Sequence, residues 1–163
     1  MRLQIDNRQC KFRVRRPALR QVALALARLA AAARGARPWR EVTLILVDDA
    51  GIEPLNRAIL RHKGATDVIT QRYAPMPGEP DGVIGEVFVN MERAWQVAGS
   101  RRSWPPSREL ALYIAHGFDH LNDADDSTPA ARRRMRQREL RWLGCVRVLE
   151  MATRRCATVR RRA

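Results

Sequence analysis

Residues 107–126 read SRELALYIAHGFDHLNDADD, and this stretch decides the fold. Leu110, Ile114 and Phe118 with Leu121 recur at helical spacing, so the segment forms a helix with one buried side. Pro105 and Pro106 precede it. Asn122 and Asp123, residue types that tolerate left-handed backbone, end it and let the chain fold back. His116 and His120 stand four apart, about 40° on the helical wheel, so both imidazoles can face one ion. The chain has three histidines and two fall in this register. An i,i+4 pair standing alone also fits two histidines satisfied by hydrogen bonds near a helix C-terminus.

A metal needs a third ligand. Asp126, six residues past His120, is placed to return a carboxylate after the turn, and Asp125 competes for that role. Asp119 lies about 60° from His116 on the wheel, which suits a supporting hydrogen bond or a proton-transfer role. Four aspartates within residues 119–126 repel one another unless a cation is near. Two imidazoles and one carboxylate leave a fourth zinc position open, the arrangement of a catalytic site. The expected cofactor is one Zn²⁺ per chain, with Mn²⁺ or Mg²⁺ tolerated through the harder carboxylate ligand. Gly117 stands where HExxH proteases carry their glutamate base, which disfavours a peptidase. Its missing side chain implies close approach of another backbone or of substrate.

Outward from this helix the pattern alternates strands and helices. LQIDN (3–7) and CKFRV (10–14) can start a sheet, and Pro17 opens a helix to about Arg34. EVTLILV (41–47), apolar on both faces, reads as a central strand. A helix follows from Ile52 to about Arg61, with Leu55, Ile59 and Leu60 on its inner side. TDVIT (66–70) and VIGEVFV (83–89) are two more strands across a Pro/Gly-rich loop, and Asn90 caps a helix to about Ala98. Thr128 and Pro129 open a last helix to about Met151. The expected fold is a single α+β domain over residues 1–153: a mixed sheet of about four strands, about five helices, and a basic tail at 154–163.

The 163 residues carry a net charge of +14, and a domain this basic attracts polyanions at long range, so nucleic acid is the expected partner class. Lys11 and Lys63 are the only lysines, so arginine-rich coding accounts for the choice of arginine but not for the excess over acids. The apolar runs fall short of the roughly 20 residues of a membrane span, and the polar start MRLQIDNRQC does not read as an export signal. A cytoplasmic location with no membrane partner is therefore expected. Cys10, Cys145 and Cys156 are odd in number and widely spaced, which predicts neither a disulfide nor a cysteine zinc site.

The motifs together resemble the YbeY family of metal-dependent endoribonucleases, which act in ribosomal RNA maturation and ribosome quality control. HGFDHLNDADD is similar to the family pattern HGxLHLxGYDH at His116, Gly117, His120, Leu121 and Asp125. LNRAILRHKGATDVIT resembles the family segment in which an LN pair is followed by a T-[DN]-V-[IL]-[ST] strand. IGEVFVN and SRELALYIAHG resemble its GDI-type strand and the run into the first histidine, and the order agrees over residues 41–145. The chain departs from the pattern at defined places. The third family histidine is Asp126, the glycine and tyrosine of the turn are Asp123 and Ala124, and the leucine between the first two ligands is Asp119. The family arginine after the LN pair falls on Leu60, leaving Arg57 and Arg61 as candidate replacements.

The resemblance implies that a metal held by His116, His120 and Asp126 serves phosphodiester cleavage in single-stranded or ribosomal RNA, with the ribosome or ribosomal proteins as partners. Arg57 or Arg61, one turn apart on the same helix face, would bind the scissile phosphate, with a plain surface arginine the other reading of each. Asp67 and Glu86 are candidates to line the cleft, though a strand-end cap and a sheet-edge charge describe them as well. Thr66 reads equally as a plain strand residue. Arg132, Arg133 and Arg134, and Arg160, Arg161 and Arg162, would hold the RNA backbone, with a solvated helix face the other reading for the first cluster. Tyr73, Trp95 and Trp104 would stack bases, with core packing the other reading for the tryptophans. Two alternatives from other classes remain: a degenerate module that binds RNA or the ribosome without cutting, and a metal-dependent hydrolase of another substrate.

Overall fold

The structure, a computed structural model, describes residues 1–33, 35, 38–99 and 103–155. Arg34, Cys156 and the Arg160–Arg162 cluster lie outside the described residues. In chain order the elements are β1 (Arg2–Asn7), β2 (Phe12–Val14), α1 (Arg16–Ala31), β3 (Trp39–Val47), α2 (Asp49–Leu55), β4 (Val68–Tyr73), β5 (Val83–Asn90), α3 (Met91–Gly99), α4 (Pro106–Leu121), α5 (Pro129–Cys145) and β6 (Ala152–Arg155). Four strands form a mixed sheet in the order β1-β3-β5-β4, parallel between β1, β3 and β5 and antiparallel between β5 and β4. This is the expected α+β arrangement, with β3 inside the sheet.

Alternation along the strands divides the core. Val42, Leu44, Leu46, Val87 and Val89 face α1 and α4, and Ile45, Val47, Ile69 and Phe88 pack with Ile52 and Leu55 of α2 and with Ile59 just beyond it. Leu110, Ile114, Phe118 and Leu121 of α4 are all buried, as their spacing predicts. Each such side chain contributes about 1.5–3 kcal/mol of burial.

The helix lies low over the sheet because Gly117 has no side chain. A Cβ there would overlap Val87 Cγ1 and stand 3.0 Å from Val68 Cγ1. The close approach read from the sequence is therefore made by sheet side chains rather than by substrate. Thr70 Oγ1 donates to the Gly117 carbonyl at 3.2 Å, tying α4 to β4. Asn122 pins the helix end: its Oδ1 accepts from Trp39 Nε1 and its Nδ2 donates to the Ala30 carbonyl, each at 2.9 Å.

Three boundaries differ from the sequence reading. Pro54 lies within α2, the helix gives way to a π-helical turn at Asn56–Leu60, and Arg61 leaves it in left-handed backbone at φ 58°. The wider turn rotates the register, so Leu60 is exposed at 42% instead of facing inward. Arg57 and Arg61 consequently do not share a regular helix face. The last helix stops at Cys145, not near Met151, because Val146 turns extended. The chain then returns to α4, where the Met151 amide donates to Ser107 Oγ at 2.8 Å and Met151 is fully buried. β6 pairs antiparallel with β2, so the main chain at the start of the basic tail expected from residue 154 is strand as far as Arg155.

Candidate metal centre

The end of α4, the turn after it and the start of α5 together build the site. His116 and His120 project one turn apart near the C-terminus of α4. Asp123 then takes left-handed backbone at φ 61°, reversing the chain where the family pattern has glycine. This reversal returns Asp126, so that one donor atom from each of His116, His120 and Asp126 lies within 4.8 Å of the others.

The rings are oriented by hydrogen bonds on their far sides. His120 Nδ1 is 2.9 Å from the Ala124 carbonyl, which can only accept, so Nδ1 carries the proton. His116 Nδ1 donates to Glu139 Oε1 at 2.6 Å. In the neutral rings both Nε2 atoms therefore turn lone pairs toward each other, 3.2 Å apart and with the rings nearly perpendicular at 74°, a spacing that a shared proton or a metal ion bridges. Two acceptors at that separation repel, and a cation between them removes the repulsion. The donor set, two imidazole nitrogens and a carboxylate oxygen, fits a first-row divalent ion. Burial favours the neutral His116 ring, but the Glu139 hydrogen bond and the charges of Glu139, Asp67 and Asp126 outweigh it and raise its pKa.

Glu139 is a functional candidate that the sequence reading missed. It is 1% exposed, and Arg136 stands 3.6 Å from its second oxygen. A carboxylate on the far nitrogen of a ligating imidazole fixes tautomer and ring direction and makes the ligand more basic. An acid 23 residues from His116, in a helix otherwise read as basic, gives a local pattern nothing to mark it.

The other aspartates are spoken for. Asp125 accepts from the Ser127 amide at 2.9 Å and from Ser127 Oγ at 2.7 Å, which shapes the turn into α5; the carboxylate grouped with the two histidines is that of Asp126. Its pKa is lowered by those Ser127 hydrogen bonds. Asp119 is 2% exposed and takes Arg138 Nε at 2.9 and 2.8 Å and Nη2 at 2.7 Å. It faces α5 and does not line the clefts beside the histidines. Burial raises its pKa against the pull of Arg138.

Two clefts meet at the histidines. One, about 610 Å³, is lined by Asp67, Tyr113, Arg132, Arg133, Arg136 and Glu139 along with His116 and Asp126. The other, about 580 Å³, runs past Leu60, Thr66, Thr70, Arg72, His120 and Asp123. Asp67, His116 and Asp126 belong to both. Asp67 also accepts from the Val68 amide at 2.9 Å, so it caps β4 and lines the cleft at once. Asn90 holds that corner, donating to Asp49 Oδ1 at 2.6 Å and to the Thr66 carbonyl at 2.9 Å.

The structure does not bring Arg57 or Arg61 into either cleft; Arg57 pairs with Glu53 at 3.2 Å on an exposed surface. Arg134 lies over the Asp125 side of α5, apart from Arg132 and Arg133. Glu86 is absent from the clefts at the histidines and accepts from the Tyr73 hydroxyl at 2.7 Å, a hydrogen bond that pushes the phenol up to about 12. Tyr73 remains 44% exposed. Trp95, half-buried, stacks on Phe12 at 5.2 Å and packs against the core, and Trp104 lies under the Arg108 guanidinium at 4.4 Å.

Comparison with known proteins agrees with this architecture. Similar chains include Endoribonuclease YbeY of Rhodopirellula baltica, 40% identical over 119 residues, which cover 72% of this chain and 59% of that protein. The chain thus matches only about three-fifths of that relative's length. Endoribonuclease YbeY of Moorella thermoacetica is 33% identical over 147 residues, covering 85% of this chain and 93% of its own. The solution structure of a Thermotoga maritima protein superposes with a TM-score of 0.55 at 20% identity, over 86% of each chain, and shows the same fold. The family model for Endoribonuclease YbeY matches residues 4–146, so the chain belongs to this family of RNA-cleaving hydrolases.

Proposed function

We propose that this protein is a metal-dependent endoribonuclease that cuts single-stranded RNA during ribosomal RNA maturation and ribosome quality control in the cytoplasm. His116, His120 and Asp126 hold the ion, with Zn²⁺ the first choice and Mn²⁺ or Mg²⁺ tolerated through Asp126. The observation that carries the reading is the convergence of the two Nε2 atoms at 3.2 Å while both Nδ1 atoms are engaged elsewhere.

A divalent ion bound there supplies the Lewis acidity that phosphodiester hydrolysis needs. The chain's own residues do the rest. Glu139 and the Ala124 carbonyl hold the rings in place before substrate arrives. Arg132 and Arg133 line the approach beside Asp126, where guanidinium groups bind the RNA backbone. Ribosomal RNA and ribosomal proteins are the proposed partners, consistent with the net charge of +14. Among the described residues no helix is long and apolar enough to cross a membrane.

The second reading, an RNA-binding module that does not cut, draws on one contact. Arg132 Nε stands 3.9 Å from Asp126 Oδ2 and supplies that carboxylate with a cation of its own. Incubating a labelled single-stranded RNA with the protein and Zn²⁺ or Mn²⁺ separates the two. The nuclease reading expects internal cleavage that a chelator and His116→Ala both abolish. Binding without cleavage under either metal would favour the module.

A further inference from the structure

We propose that Arg72 is the phosphate-binding arginine of this site, and that Asp123 holds its guanidinium in place and competes with RNA for it. This rests on the RNA-directed reading above. The wall of the cleft beside His120 that the Asn56–Leu60 turn supplies is the apolar Leu60. Arg57 and Arg61, its neighbours in sequence, do not line that cleft. The cleft is therefore left without a cation from that wall. Arg72 enters it from β4, and it also lines the adjoining cleft formed with Pro38, Tyr73 and Pro75.

The guanidinium is already aimed. Arg72 Nη1 lies 2.6 Å from Asp123 Oδ2 and 3.4 Å from the Leu121 carbonyl, at the end of the helix that carries His120. Asp123 is in left-handed backbone at φ 61°, in the turn that follows the helix. Arg72 and Asp123 thus meet in one ion pair on the wall of the cleft beside His120. A carboxylate and a phosphate present oxygens to a guanidinium in the same geometry. A phosphate can replace Asp123 while the Leu121 carbonyl keeps the guanidinium oriented. With side-chain exposures of 33% for Arg72 and 60% for Asp123, the pair is wet enough to give way to a polyanion. Tyr73, the next residue, is exposed on the continuation of this path and offers a face for a base.

Binding of a short fluorescein-labelled oligouridine to the full chain, followed by anisotropy in the presence of chelator, tests this with cleavage switched off. Arg72→Ala should weaken binding roughly tenfold and reduce the salt slope by about 0.7, and Arg72→Lys should recover part of the loss. Asp123→Asn, which suits left-handed backbone, should tighten binding roughly threefold, and should do nothing in the Arg72→Ala background. Arg57→Ala and Arg61→Ala should each change affinity less than about twofold. Wild-type affinity in Arg72→Ala would overturn the inference, as would Asp123→Asn tightening that persists without Arg72, or an equal loss in Arg57→Ala or Arg61→Ala. Should Arg72→Ala fail to fold, Asp123→Asn decides alone, and unchanged affinity there overturns it. A wild type that ignores the oligonucleotide overturns this inference together with the RNA reading, whereas a binding wild type with an indifferent Arg72 overturns only this one.

Discussion

Glu139 Oε1 accepts from His116 Nδ1 at 2.6 Å, from a carboxylate that is 1% exposed on the neighbouring helix. The contact fixes which nitrogen of His116 is free, and it places a negative charge behind the ring whose other face looks at His120 and Asp126.

Glu139→Ala should therefore lower zinc affinity by roughly 10–100-fold, and Glu139→Gln, which still accepts from Nδ1, by less. Competition against a chromophoric chelator measures this directly. Equal affinity in all three proteins would remove Glu139 from the metal centre.

Asp119 and Arg138 are predicted to act as a unit of structure. Removing only the guanidinium with Arg138→Met leaves a buried carboxylate uncompensated and should cost about 3–5 kcal/mol in urea unfolding. Replacing both residues, as Asp119→Leu with Arg138→Met, should cost far less. If the single and double variants unfold alike, the pair contributes nothing specific.

Gly117→Ala places a methyl group into Val87 and Val68 and should destabilise by about 1–3 kcal/mol, by lifting the end of α4 from the sheet. Because His116 moves with that helix, metal affinity should fall too. A variant with wild-type stability would mean that α4 and the sheet have room that the structure does not show.

Asn122→Ala removes two hydrogen bonds, to Trp39 and to Ala30, and should cost about 1–3 kcal/mol in thermal or urea unfolding. Asn122→Asp keeps an acceptor for Trp39 Nε1 but loses the donor to Ala30, so an intermediate loss is expected.

The residues legible in the sequence are those whose geometry is local. His116, His120 and Asp126 lie within one helix end and one turn, so wheel angle and turn chemistry suffice to bring them together. The buried stripe of α4 and the doubly buried β3 follow from periodicity in the same way. Glu139 and Arg72 reach the site by packing between elements, and no short pattern encodes that. Arg57 and Arg61 would share a face on a regular helix, but the segment is a π-helical turn, and neither lines the cleft. The strand at Ala152–Arg155 was hidden because its partner, Phe12–Val14, is far away in sequence.

Metal content per chain, measured by atomic emission on protein purified without a histidine tag, tests the central claim most directly. The account predicts about one zinc or manganese per wild-type chain and a large loss in Asp126→Ala. A wild type that stays metal-free after incubation with both ions, or an Asp126→Ala variant that keeps its full metal content, would contradict it.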